Sequence, residues 1–227
     1  MMKFFSVDNP VFIVISRIGD LLILSLLWLL TSLPVITIGA STTALFDICM
    51  KIVRSREPSV VKDYFKSFGS NFKQATVIWL IMAAVGAVGA VDMYFWAHSD
   101  MEIASVMNAV SIGIMVVYAA VLLYVFPVQA TFDNTVKATL RTAFLLSLKH
   151  FPDTIGLLIC SAAIGYLCWL VPAVAYVFLI IGTGLFAMLY SLRFVNIFKQ
   201  YAPVIAEDMK GKAWDKDDEK SEEQKQS

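Results

Sequence analysis

The sequence predicts an all-α fold, a polytopic bundle of transmembrane helices, and three observations carry that prediction. Residues 154–192 form a run of 39 without a charged side chain, interrupted near its centre by Pro172. Three further charge-free runs precede it: 26 residues from Leu21 to Phe46, 18 from Gln74 to Val91 and 30 from Ile103 to Phe132. A helix needs about 20 apolar residues to cross a bilayer core. The composition agrees, with 59% hydrophobic and 16% charged residues and a mean hydropathy of +0.73, against about 45–50% apolar and 25% charged in soluble domains.

Taken in order, hydropathy and interface signals place five spans near 19–33, 75–97, 104–126, 154–171 and 172–194. The first is too long for a signal-peptide core of about 7 to 15 residues and reads as a retained anchor. The second closes on Asp92, Tyr94 and Trp96, whose amphipathic rings and carboxylate suit the headgroup level. Small residues at Ala83, Gly86, Ala87 and Ala90 on that span allow close helix contact, and Ser161, Gly165, Gly182 and Gly184 do the same on the last two. The link around Trp169 to Ala173 is short and uncharged, so the fourth and fifth spans form a tight antiparallel hairpin. One integral membrane domain over 1–206 and a charged tail over 207–227, too polar to bury a core and expected to be disordered, account for the whole chain.

Charge orients these spans. Six basic residues fall between Asp47 and Lys73, three between Asp133 and Asp153, and seven from Arg193 onward, so 16 of the 18 lie on one side. Lys and Arg beside spans favour the cytoplasmic face, which puts both loops and the C-terminus inside and, with five spans, the N-terminus outside. A sixth span over 35–54 is the rival, with both termini inside. Asp47, Lys51 and Arg54 recur at i, i+4 and i+7 as one polar stripe opposite Leu45, Ile48, Cys49 and Ile52. Charges in the bilayer core cost a few kcal/mol each on insertion scales, and the segment therefore reads as a short amphipathic helix lying at the cytoplasmic interface.

An internal echo supports the five-span reading. Ala44 to Lys51 and Ala130 to Lys137 share the pattern A-x-F-D-x-x-x-K, and each follows a span closed by Pro-Val, at Pro34-Val35 and Pro127-Val128. Proline stops a helix from continuing straight, and an Asp–Lys pair four apart contributes about 0.2–0.5 kcal/mol to a short helix. These segments are expected to form a cytoplasmic docking face carried by Asp47, Lys51, Asp133 and Lys137, the competing reading being simple anchorage to lipid headgroups.

Chemistry is sparse. The only two histidines, His98 and His150, fall on opposite sides in this topology and cannot share a metal. Cys49, Cys160 and Cys168 lack C-x-x-C spacing, and no nucleophile elbow, P-loop or H-E-x-x-H occurs. The expectation is a protein that is not an enzyme, has no cofactor or metal, and has the lipid bilayer as its first partner. Zero formal net charge argues against nucleic acid. The sequence does not fix the oligomeric state.

The segment Leu26-Leu27-Trp28-Leu29-Leu30-Thr31-Ser32-Leu33-Pro34-Val35-Ile36-Thr37-Ile38-Gly39-Ala40-Ser41-Thr42-Thr43-Ala44-Leu45, with Asn71-Phe72-Lys73-Gln74-Ala75 and Phe126-Pro127 through Asn134-Thr135, resembles the YesL-like family of bacterial membrane proteins of unknown function. That resemblance implies a bacterial cell membrane and proximity to sugar-binding lipoproteins, sugar ABC permeases and polysaccharide-degrading enzymes. It implies no catalytic or binding residues. The expected role is accessory or regulatory to a carbohydrate uptake system, in contact with sugar ABC transporter subunits; the alternative is a transport component that itself passes a sugar or another small solute. No E-A-A-like loop for docking an ATPase is present.

Overall fold

The computed structural model describes the backbone of residues 10–54, 58–132 and 135–209, and the side chains of residues 16–198 among them. Among these residues all regular structure is helical, as the charge-free runs require: backbone polar groups in lipid must be satisfied within the segment.

Helix α1 (Pro10–Thr31) covers most of the first expected span. It stops before Pro34 because the residue preceding a proline is biased away from helix and the proline itself has no N–H to donate. A single 3-10 turn, Val35–Thr37, follows. The Thr37 hydroxyl donates to the carbonyls of Thr31 (2.5 Å) and Pro34 (2.6 Å), supplying a donor to carbonyls that a terminated helix leaves open.

Helix α2 (Ile38–Val53) corrects the expectation of a surface-lying helix: 11 of its 16 residues are buried, and α1, α3, α4 and α8 all pack on it. It is long and apolar enough to cross a membrane, as the rival reading of 35–54 as a further span requires. Gly39 packs against Ala75 and Trp79, the Trp79 indole donates to the Val35 carbonyl at 2.8 Å, and Val53 is joined to α3 by a short loop. The helix thus lies antiparallel to the first half of α3, level with Lys62, Lys66 and Lys73.

Helix α3 (Val60–Ala97) has 38 residues, more than a crossing needs. Its first turn is closed by the Ser59 N–H donating to the Asp63 carboxylate at 2.9 Å, which also suits the helix dipole. Helix α4 (Ala104–Thr131) returns beside it. The Tyr118 hydroxyl, lying over Gly86, donates to the Met82 carbonyl at 2.7 Å, so Gly86 serves α3–α4 contact while Ala87 and Ala90 face outward. Pro127 does not end α4, contrary to its reading as a stop; it lies inside the helix. Pro34 and Pro127 therefore occupy different conformations, and the second A-x-F-D segment straddles the end of α4, so the echo is not a repeat of structure.

Helix α5 (Val136–Lys149) and helix α6 (Phe151–Leu170) are separated by His150 alone. After the extended residue Val171 the chain turns into α7 (Pro172–Val177), a π turn (Phe178–Gly182) and α8 (Thr183–Met209). The fourth and fifth expected spans are joined by the short α6–α7 turn, and Tyr190 of α8 reaches back to donate to the Leu157 carbonyl (2.6 Å) and to bond the Ser161 hydroxyl (2.7 Å); α8 otherwise packs on α1 and α2 rather than on α6, so the hairpin is more open than the tight one expected. The expected tail begins inside α8, and residues 210–227 lie outside the described residues.

The surface confirms the solvent. Val88, Ile114, Ile159 and Leu189 are each more than half exposed, an apolar girdle that a membrane, not water, would cover. Among the described residues five helices are long and apolar enough to cross one: Val35–Val53, Val60–Ala97, Ala104–Thr131, Phe151–Leu170 and Pro172–Phe198; they include the rival span over 35–54 and not the first expected span over 19–33.

Candidate docking end of the bundle

The end of the bundle where α2 finishes, α3 begins and α4 meets α5 is assembled by aromatic packing on α8. Phe194 and Phe198, one turn apart, stack on each other at 5.7 Å. Phe46 of α2 meets Phe194 edge-on at 6.0 Å, Tyr124 of α4 does the same at 5.0 Å, and Phe132, just past α4, meets Phe198 at 5.7 Å. Such geometries favour aromatic pairs through the ring quadrupole. Phe46 and Phe132 are the aromatic residues of the two A-x-F-D segments, so the shared motif reflects a shared partner helix. Met50 sulfur also accepts the Thr131 hydroxyl at 3.5 Å, joining the two segments directly.

Two buried polar chains lock the same end. Gln129 donates from Nε2 to Asn71 Oδ1 (3.3 Å) and accepts the Thr139 hydroxyl at Oε1 (3.1 Å), tying α3, α4 and α5. The Tyr124 hydroxyl bonds Thr154 (3.0 Å), and Thr154 donates to the Ser147 carbonyl (2.9 Å), tying α4, α6 and α5. Further polar links tie α1 to α3 and α2: the hydroxyls of Tyr64 and Thr31 bond at 2.7 Å, and Trp28 donates to Thr42 at 3.1 Å. Sequence reasoning singled out none of these as a set. The available signal was a lone amide or phenol inside a charge-free run, which usually finds a partner on another helix.

Of the expected docking residues, Asp47 and Lys51 form an ion pair at 3.0 Å, with side chains 17% and 30% exposed. They are the open edge of a helix otherwise enclosed. Lys137 is exposed in the first turn of α5, where it shares the outward face with Arg141, Phe144, Leu145 and Leu148. Asp133 lies outside the described residues. The structure therefore brings the two motif segments together through their phenylalanines, while Lys51 and Lys137 belong to separate helices with separate outward faces.

The opposite end is built differently. The Asp92 carboxylate accepts from the Trp96 indole at 3.1 Å and from the Ser111 hydroxyl, so it bridges α3 to α4. His98 caps α3 there, packed on Tyr94 at 4.3 Å. His150 stands at the docking end, 3.8 Å from Asp153. No group of three or more metal-ligating side chains occurs among the described residues.

The family described as "Protein of unknown function, DUF624" matches residues 21–93, which hold α1 from its middle, α2 and most of α3. The chain is 26% identical over 181 residues to the protein described as "Uncharacterized protein YesL" of Bacillus subtilis (strain 168), spanning 79% of this chain and 84% of that protein. It is 24% identical over 157 residues to "Uncharacterized protein YteU" of the same organism, spanning 66% and 69%. No solved structure matches. The resemblance read from Leu26 to Leu45 is borne out, since that segment lies wholly within the matched residues.

Proposed function

Taking the chain as YesL-like, we propose that it is a non-enzymatic accessory or regulatory protein of the bacterial cell membrane that serves a carbohydrate uptake system. In this reading α1, α3, α4, α6 and the α7–α8 unit cross the bilayer, the docking end is cytoplasmic, the N-terminus is outside, and the Asp47–Lys51 edge of α2 contacts a sugar ABC transporter subunit. The observation that carries it is the enclosure of α2: a helix held on four sides presents one salt-bridged edge, Asp47–Lys51, near its end, where the chain leads on to the start of α3. The positive-inside bias supports the orientation, and the genomic company implied by the resemblance supports the choice of partner.

The transport alternative draws on two features, the break between α1 and α2 and the π turn before α8, because interrupted helices recur where transporters bind solutes. Against it, Ser41 and Thr43 each spend their hydroxyl on the carbonyl four residues back, which is how polar residues satisfy themselves in helix packing; the hydroxyls of Ser32, Thr76 and Ser191 are the buried ones without a protein partner among the described residues.

Two measurements separate the readings. Affinity capture of the tagged chain from native membranes is expected to recover a sugar-transporter permease or its ATPase, with recovery reduced by Lys51→Glu. Sugar flux through the purified chain in liposomes is expected to be absent; flux together with unchanged capture would establish the transport alternative instead.

A further inference from the structure

Helix α5 is turned inside out relative to a helix on a soluble protein. Its inward side is Thr139, Thr142, Ala143, Leu146 and Ser147, all buried. Its outward side begins with Lys137 and Arg141 and continues with Phe144, Leu145 and Leu148, of which Leu145 and Leu148 are about half exposed. These five outward residues fall within one third of the helical wheel at 100° per residue. Along this face Lys137 and Arg141 come first and Phe144, Leu145 and Leu148 follow, with the exposed Lys149 closing the helix at the junction with α6.

Lys137 sits in the first turn, where the positive end of the helix dipole disfavours a cation, and α5 itself contains no acidic residue within reach of Lys137 or Arg141 along the helix; Asp133, four residues before Lys137, lies outside the described residues. The cap is a neutral one, the Thr135 hydroxyl accepting the Ala138 N–H at 3.4 Å. A positive end followed by an apolar end matches the order of a membrane leaflet entered from water, phosphates first and acyl chains next.

We propose that α5 is a lipid-binding helix that holds anionic phospholipid: Lys137 and Arg141 engage the headgroup phosphates while Phe144, Leu145 and Leu148 dip among the acyl chains. This surface is separate from the Asp47–Lys51 edge, and it stands whether or not that edge docks a transporter. It assigns Lys137 to lipid, the role that competed with docking in the sequence.

The test uses the full chain in nanodiscs of equal parts phosphatidylcholine and phosphatidylglycerol, with the lipids retained on gentle extraction quantified by native mass spectrometry. The expected result is preferential retention of phosphatidylglycerol by the native chain and a fall in that preference of about twentyfold in Lys137→Gln/Arg141→Gln, since each of the two cations near an anionic surface contributes about fivefold. Lys137→Arg/Arg141→Lys is expected to retain the preference, and Lys62→Gln/Lys66→Gln, which removes the same charge from α3, to change it little. An equal fall in both neutral pairs would show only bulk charge and overturn the proposal, as would no preference in the native chain. A nitroxide at Leu148→Cys, in a Cys160→Ser/Cys168→Ser background, supplies a readout independent of affinity: greater accessibility to oxygen than to a water-soluble nickel chelate supports the acyl-chain placement, and the reverse contradicts it.

Discussion

At the scale of single residues, the fold depends on places where backbones approach closely. A Cβ on Gly39 would meet the Ala75 carbonyl oxygen and lie 2.7 Å from Trp79 Cβ, both fixed parts of α3. One on Gly69 or Gly156 would meet nothing within 4 Å. Gly39→Val is therefore expected to lower stability by about 1–3 kcal/mol, the usual cost of overpacking, whereas Gly69→Ala should be neutral or stabilising by up to about 1 kcal/mol through helix propensity. Thermal unfolding in detergent followed by size-exclusion would read both; equal behaviour of the two variants would remove the α2–α3 contact from the account. Gly184 makes the same kind of approach to α1, where an added Cβ would lie 2.5 Å from the Leu21 carbonyl oxygen and 2.7 Å from Ser25 Oγ, and the Ser25 hydroxyl accepts its N–H at 2.9 Å. Gly184 was visible in the sequence as a small packing residue, but its partner was not, because nothing local records which helix lies opposite.

At the scale of elements, the charge-free runs located α3, α4, α6 and α8 because lipid-facing helices must be apolar all round. The same rule misread α2. Its buried positions include Gly39, Ala40, Ser41, Thr43 and Ala44, small or polar residues that carry little hydropathy yet suit contact between helices in a membrane, and the charged stripe at its far end resembled a surface helix. Pro127 was misread for a related reason. A proline in α4 leaves the Leu123 carbonyl without its usual donor, a cost that enclosing helices can offset, and residues 124–129 are buried. The aromatic ladder on α8 joins these elements, so Phe194→Ala is expected to cost about 3 kcal/mol or more and to loosen α2 and α4 together, while Phe194→Leu should cost markedly less. Limited proteolysis across residues 54–60 and 132–136 would detect that coupled loosening; cleavage at only one of the two would show that α8 does not join them.

At the scale of the whole molecule, two ends of different character flank an apolar girdle. One holds Asp92, His98 and the short α6–α7 turn; the other holds the lysines of α2, α3 and α5. That asymmetry was fully legible in the sequence, since it follows from the order of charges along the chain. The enclosure of α2 was not, because it depends on long-range packing of α8 against α2 and α4. In the function proposed above, the enclosed helix offers its Asp47–Lys51 edge to a cytoplasmic partner. Site-specific photo-crosslinking in native membranes tests it most directly, with the crosslinker at Lys51, at Val88 on the apolar girdle and at Ser99 on the opposite end. An adduct with a sugar-transporter permease or its ATPase is expected from Lys51 and none from Ser99; adducts from Ser99 alone, or from Val88 alone, would overturn the proposed docking.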